Sequence, residues 1–326
     1  MSHLRLNPLT GRWVAVAADR ALRPGQLVAP PPPADDDQIE HCPFCPGHED
    51  QTLPAIETYG RDGKWVVRTV PNKYPAFEGD APLQVHNLGP VFTQAAASGA
   101  HEVVVFTPRH DEAWADLDDA QVAVTMAAIR DRFEEHTHHP SIRYTQVIVN
   151  HGREAGASLS HPHAQVVGMP FVPGEIADEE AGFRRFEGSC VLCTTLEAEE
   201  SAGHRVVYSD DDVLVVSPYW AGAPFEMLVL PRVHEPHLVD SDPREVTAVG
   251  RSLRTALSSL RATLGEVSYN LVFHTAPHRH AGPYHWHVHL TPRLTSVPGF
   301  EQGTGVAINI VPPEAAARRL TAVSVS

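Results

Sequence analysis

No stretch of about 20 apolar residues occurs in the chain, so no segment is expected to cross a bilayer as a helix. The opening residues M-S-H-L-R-L-N-P-L-T also lack the apolar core of a signal peptide, and the expected location is cytoplasmic. Positive charge is short as well. With 25 Lys and Arg against 40 Asp and Glu, the formal charge is -15, which argues against broad electrostatic binding to nucleic acid or to an anionic membrane. A small phosphorylated ligand needs only a few local donors and stays possible. Cysteine is scarce too. Cys42, Cys45, Cys190 and Cys193 form two C-x-x-C pairs with none left over. In a reducing compartment this favours metal over disulfide, and neither pair has the strand-to-helix setting of a redox C-x-x-C. At 326 residues the chain can bury one large core or two mid-sized ones.

The most informative stretch is Asn150 to Gln165, N-H-G-R-E-A-G-A-S-L-S-H-P-H-A-Q, which runs into Val166 and Val167. Pro162 tells against a helix interior, and on a strand residues two apart share one face. His161, His163 and Gln165 then point the same way. An imidazole so placed can act as nucleophile, general base or metal ligand. Gly152, Ala155, Gly156, Ala157 and Ser158, just before it, would let backbone N–H groups approach an anion. Arg20 and Arg23, on a loop after an alternating strand, suit a diphosphate, and Asn72 sits on a Pro-punctuated loop.

The chain repeats its own order. C-V-L-C answers C-P-F-C, and M-L-V-L-P-R-V-H, ending at His234, answers V-V-V-F-T-P-R-H, ending at His110. Residues 111–136 and 245–264 each carry apolar positions at helical spacing, and Y-N-L-V-F-H followed by H-W-H-V-H-L answers V-I-V-N-H followed by H-P-H-A-Q-V. The expected fold is α+β, with two tandem lobes, residues 1–180 and 181–326, each an antiparallel sheet with a packed helix. Each half offers two thiolates, a His after the strand-end Pro, and the first His of its H-x-H. The sets Cys42, Cys45, His110, His161 and Cys190, Cys193, His234, His285 are closed Cys2His2 groups suited to structural zinc. His101, His151, His237, His278 and His280 are read as exposed or satisfied in the core.

The combination of N-P-L-T-G-R-W-V, C-P-F-C, V-P-N-K-Y-P-A, N-x-G-x-x-A-G-A-S-x-S-H-P-H-A-Q and H-W-H-V-H-L-T-P-R-L resembles the galactose-1-phosphate uridylyltransferase family, a tandem branch of the histidine triad superfamily. The resemblance implies that His163 attacks the α-phosphorus of a nucleotide sugar and carries a nucleoside monophosphate to a sugar 1-phosphate. It also implies a homodimer. Gln165 stands where hydrolytic histidine triad proteins usually carry a third His; an amide can hold a phosphate oxygen without serving as an acid, which favours transfer over hydrolysis. By the same matching Arg20, Arg23, Asn72, Asn150, Ser158 and Gln165 bind the nucleotide and its phosphates. Phe300 and Glu301 fall in the segment that recognises the hexose. Glu179 matches a metal position used in some members with histidines like His274, His287 and His289, and the second C-x-x-C favours the set through His285 instead. UDP-glucose with galactose 1-phosphate is the first expectation. The A-G-A-S-x-S-H-x-H-x-Q pattern with a second C-x-x-C also looks like the branch containing ADP-glucose phosphorylases, which use inorganic phosphate.

Overall fold

The computed structural model describes residues 2–22, 39–295 and 299–323. Arg23 lies outside the described residues. The first half contributes β1 (His3–Leu6), β2 (Trp13–Val16), β3 (Glu57–Arg61), β4 (Lys64–Pro71), the short pair β5 (His86–Asn87) and β6 (Thr93–Gln94), β7 (Ala100–Val105), α1 (Asp119–His138), β8 (Tyr144–His151) and β9 (His163–Met169). After α2 (Gly174–Arg185) and α3 (Val191–Ala202) come β10 (Val206–Ser209), β11 (Val213–Val216), β12 (Met227–Pro231), α4 (Pro243–Leu264), β13 (Tyr269–His274) and β14 (His287–Pro292). The chain closes with α5 (Gly299–Thr304), β15 (Ala307–Asn309) and α6 (Pro313–Thr321).

Ten strands form one antiparallel sheet in the order β10-β11-β12-β14-β13-β8-β9-β7-β4-β3. Read outward from the centre, β8-β9-β7-β4-β3 and β13-β14-β12-β11-β10 carry the same succession of elements, so the expected pair of tandem α+β lobes is present as two halves of one sheet. They meet where β8 pairs with β13, with Asn150 directly opposite Asn270. A small sheet, β1-β2-β15, joins the two chain ends, β2 and β15 running parallel.

Strand alternation separates the two faces. Val104, Ala164, Val166, Val229, Leu271, Phe273, Val288 and Leu290 turn toward α1 and α4 and share their apolar core. His163, Gln165, His274, His287 and His289 occupy the alternate positions and face away from it. Helix α1 buries Val122, Met126, Ile129 and Phe133, the i, i+4, i+7, i+11 stripe of a helix packed on a sheet. It crosses α4 at Gly250, where a Cβ would stand 2.6 Å from Met126 Cγ and 2.7 Å from Val122 Cγ1, so only glycine permits this approach.

The helix expected over 111–136 begins later, at Asp119. Asp118 is extended and its carboxylate accepts the Gln121 N–H at 2.7 Å, capping α1 there. Trp114 to Asp116 form a separate 3-10 turn, and the Trp114 indole donates to Gly250 O at 3.1 Å. The second helix is close to expectation, its start fixed by a capping box between Asp242 and Glu245.

One charged pair lies within the helix-facing layer. Glu102 on β7 accepts from Arg132 Nε at 2.7 Å and Nη2 at 2.8 Å, with His136 Nε2 3.3 Å away. Burial alone would raise the Glu102 pKa, but the hydrogen bonds and charges of His136 and Arg132 outweigh it and hold the carboxyl below its ordinary range. The stabilisation is therefore complete above the pKa of the unfolded carboxyl and fades as pH falls through the lower folded value. Arg132→Met, which leaves the buried carboxylate with His136 as its one remaining partner among those named, is expected to lower the unfolding free energy by about 3 kcal/mol at neutral pH in urea denaturation. A loss under about 1 kcal/mol, the scale of a surface pair, would contradict this account.

Candidate active site

His163 opens β9 and is 7% exposed. Its Nδ1 lies 2.8 Å from the carbonyl of His161. A carbonyl only accepts, so Nδ1 carries the proton and Nε2 holds a free lone pair. Burial lowers the pKa of His163, which favours the neutral, nucleophilic ring. Phe44 covers one side, its ring 5.3 Å from that of His163 and 6.0 Å from that of His161. The loop leading in turns at Gly152, at φ +83°, where a Cβ would fall 2.1 Å from Ser268 Oγ.

Other polar groups share this face. Gln165 Oε1 lies 2.9 Å from His101 Nε2, and the same ring nitrogen is 3.1 Å from Asn72 Nδ2. Asn150 Oδ1 accepts from Asn270 Nδ2 at 2.7 Å. The structure thus joins His163, Gln165, Asn72 and Asn150 in one region, with His101 and Asn270 among them. Ser158 is exposed on the preceding loop, and Arg20 is half-buried on the 3-10 turn after β2. Phe300 is exposed on α5, and the Glu301 carboxylate accepts the Ile308 N–H at 2.8 Å. No hydrogen bond, ion pair or ring contact among the described residues links Arg20, Ser158, Phe300 or Glu301 to the His163 group. His101, expected from sequence to be exposed or satisfied in the core, is half-buried and satisfied, and one of its partners is Gln165. Its strand position was the available signal, but only the pairing of Val103 with Gln165 shows that His101 shares that face.

Among the described residues, three groups of side chains could hold a metal ion. In the first, Cys45 Sγ is 3.4 Å from His110 Nδ1, and Cys42 and Cys45 Sγ are each 3.5 Å from His161 Nδ1. Sulfur and nitrogen ligands at about 2.3 and 2.0–2.1 Å from a tetrahedral zinc stand roughly 3.5 Å apart, so the spacing fits. The second, Cys190, Cys193, His234 and His285, shows corresponding separations of 3.5–3.8 Å. In both, the far ring nitrogen is tied down: His161 Nε2 to Thr107 O at 2.9 Å, His285 Nε2 to Pro231 O at 3.0 Å, and His110 Nε2 to Ser160 Oγ at 2.8 Å. The carbonyl partners require Nε2–H and leave the Nδ1 lone pairs of His161 and His285 facing the thiols. Burial and the neighbouring cysteine push Cys45 and Cys193 up to about 12, a state that a bound dication would reverse.

The third group is Glu179, His274, His287 and His289. Glu179 Oε1 is 2.9 Å from His274 Nδ1, 3.7 Å from His287 Nε2 and 3.8 Å from His289 Nε2, while Oε2 accepts from Tyr284 Oη at 2.5 Å. His287 Nδ1 lies 2.9 Å from His285 O, the same arrangement as His163 on His161. Burial would raise the Glu179 carboxyl, but His274 and His287 hold it well below its usual range. The sequence reading set this group against the His285 set as alternatives. The structure assembles both, because alternate residues of β14 and the loop before it serve different sets, His285 one and His287 and His289 the other. Among the described residues no helix is long and apolar enough to cross a membrane.

Residues 1–173 match the family model described as "Galactose-1-phosphate uridyl transferase, N-terminal domain", and residues 112–324 match "Domain of unknown function (DUF4921)". An ADP-glucose phosphorylase from Arabidopsis thaliana is 31% identical, over 99% of this chain and 93% of its own. A galactose-1-phosphate uridylyltransferase from Thermotoga maritima is 30% identical over 98% of each. The crystal structure of an Arabidopsis thaliana ADP-glucose phosphorylase with bound ADP-glucose superposes with a TM-score of 0.85 at 30% identity, covering 100% of both chains. A uridylyltransferase structure does so at 0.75 and 27% identity, covering 99% of this chain and 98% of the other.

Proposed function

The chain belongs to the galactose-1-phosphate uridylyltransferase family, and from that premise we propose that it transfers a nucleoside monophosphate from a nucleotide sugar to a phosphate-bearing acceptor through a covalent adduct on His163. The observation that carries this reading is the His161 carbonyl holding the proton on His163 Nδ1, which leaves the Nε2 lone pair free. Nε2 attacks the α-phosphorus, the bond to the bridging oxygen breaks, and hexose 1-phosphate leaves as an anion that needs no proton. The ring then bears positive charge, which the His161 carbonyl stabilises through Nδ1–H. An acceptor phosphate oxygen attacks the same phosphorus on the return step and frees the imidazole. Gln165 donates to the phosphoryl oxygens as charge builds there. Arg20, Arg23, Asn72, Asn150 and Ser158 hold the nucleotide and its phosphates, and Phe300 and Glu301 the hexose.

For the donor and acceptor, ADP-glucose and inorganic phosphate come first. The higher TM-score of the ADP-glucose phosphorylase and the second Cys pair favour this pairing. UDP-glucose with galactose 1-phosphate, the pairing the sequence put first, is the second reading, supported by the Thermotoga relative. Zinc is the proposed occupant of both Cys2His2 sets, where it would supply rigid crosslinks and no catalysis. In the first lobe the crosslink includes His161, so it fixes the carbonyl that orients His163. Residues 1–180 would form the lobe that does the chemistry and 181–326 its structural counterpart, in a cytoplasmic homodimer.

Two outcomes are expected. Brief incubation with ADP-glucose, UDP-glucose or GDP-glucose should give a nucleoside monophosphate adduct from one donor in intact-protein mass spectrometry, absent in His163→Ala. Release of the adduct by phosphate alone would support the phosphorylase and by galactose 1-phosphate alone the uridylyltransferase; no adduct from any donor, in metal-loaded protein, would overturn the proposal. In elemental analysis, Cys45→Ser and Cys193→Ser should each lower bound zinc by one equivalent per chain, and unchanged zinc would remove the assignment.

A further inference from the structure

We propose that His101 and Asn270 are positioning residues that lock the side-chain amides of Gln165 and Asn150 with their NH2 groups presented to the phosphates beside His163. The proposal rests on the nucleotidyl-transfer reading above and goes beyond it by assigning work to two residues outside the motif.

Each orientation follows from groups that have only one hydrogen-bonding role. The backbone N–H of Ala76 donates to His101 Nδ1 at 3.1 Å. That nitrogen must be the acceptor, so the neutral ring carries its proton on Nε2. Nε2–H then donates across 2.9 Å to Gln165, which must offer its oxygen. The Gln165 NH2 group is left without a partner among the described residues and is free for a ligand. The Asn72 oxygen accepts the Tyr74 N–H at 2.9 Å, which turns Nδ2 toward the His101 ring at 3.1 Å; that contact brings two donors together and does not help to orient either group.

On the other side of His163 the chain of roles starts at Ala155. The Ala155 carbonyl can only accept, and Asn270 Nδ2 donates to it at 2.9 Å. The guanidinium of Arg293 can only donate, and its Nε meets Asn270 Oδ1. Both contacts give Asn270 the same orientation. Its NH2 group also reaches Asn150 at 2.7 Å, so Asn150 must turn its oxygen there. Asn150 Nδ2 then lies on the side of the loop at Gly156, where a Cβ would be 3.9 Å from it. The outcome is a set of amide donors whose oxygens are all occupied from behind. Such a set presents only N–H groups to a diphosphate, and it costs no reorientation when the phosphates arrive.

The test is the single-turnover rate of adduct formation with ADP-glucose and UDP-glucose, measured beside donor affinity. His101→Ala is expected to slow adduct formation by about 10–100-fold, the scale of losing an orienting partner, with donor affinity nearly kept. In a Gln165→Ala background the same substitution should cost nothing more, because its target is gone. His101→Gln, whose amide NH2 can reach Gln165 Oε1, should restore most of the rate. Asn270→Ala paired with Asn150→Ala should show the same non-additivity. Additive losses in both cycles, or no loss in His101→Ala, would overturn the proposal. If the wild-type protein forms no adduct, the functional reading fails instead. The positioning is then judged by 15N NMR of the His101 ring in the ligand-free protein: a proton on Nε2 is expected, and a proton on Nδ1 would overturn it whatever the assay shows.

Discussion

The proton on His163 Nδ1, held 2.8 Å from the His161 carbonyl, is the constraint on which the rest of this structure depends. It leaves Nε2 as the ring nitrogen with the free lone pair, and it works only if the backbone at His161 does not move. Several features of the chain hold that backbone. The His161 ring is fully buried, its Nε2 bonded to Thr107 O and its Nδ1 facing Cys42 and Cys45. Pro162 restricts the turn into β9, and Phe44 from the C-P-F-C segment packs on both imidazoles. Under the proposed function the two imidazoles of this short motif divide the work, the first anchoring the backbone through a metal and the second reacting two residues on.

Duplication explains why the second lobe looks reactive and is read differently. His287 makes the same Nδ1 contact with His285 as His163 does with His161. Its Nε2, however, faces His289 at 3.1 Å and the Glu179 carboxylate, a group supplied by α2, which follows the first half of the sheet. In the first half the position corresponding to His289 is Gln165, a neutral amide whose oxygen is already occupied by His101. Where the first half has an amide, the second has a carboxylate and further imidazoles, a group that could hold a cation.

Much of this was legible in the sequence because it is local or repeated. The H-x-H and C-x-x-C spacings, read against the duplicated order, named eight side chains that the structure gathers into two clusters. The repeat likewise anticipated paired lobes, since β12 and α4 carry the pattern of β7 and α1. What escaped was non-local. That β8 and β13 would pair, placing Asn150 opposite Asn270, depends on how two halves join and leaves no trace in either segment alone. His101 sits 62 positions before His163, and its link to Gln165 requires the β7–β9 register. The late start of α1 had a visible signal in Asp118, outweighed in the reading by apolar Trp114 and Leu117, which are buried by the 3-10 turn instead. The sets through His285 and Glu179 look like rivals in the sequence because nothing there shows that His285 and His287, two residues apart, belong to neighbouring clusters.

The most direct test of the central claim is which ring nitrogen bears the phosphorus. Protein labelled with 15N in histidine would be trapped as its adduct and the 31P–15N coupling measured by NMR. The account predicts coupling to Nε2 of His163, with Nδ1 still protonated. Coupling to Nδ1, or to another histidine, would contradict it.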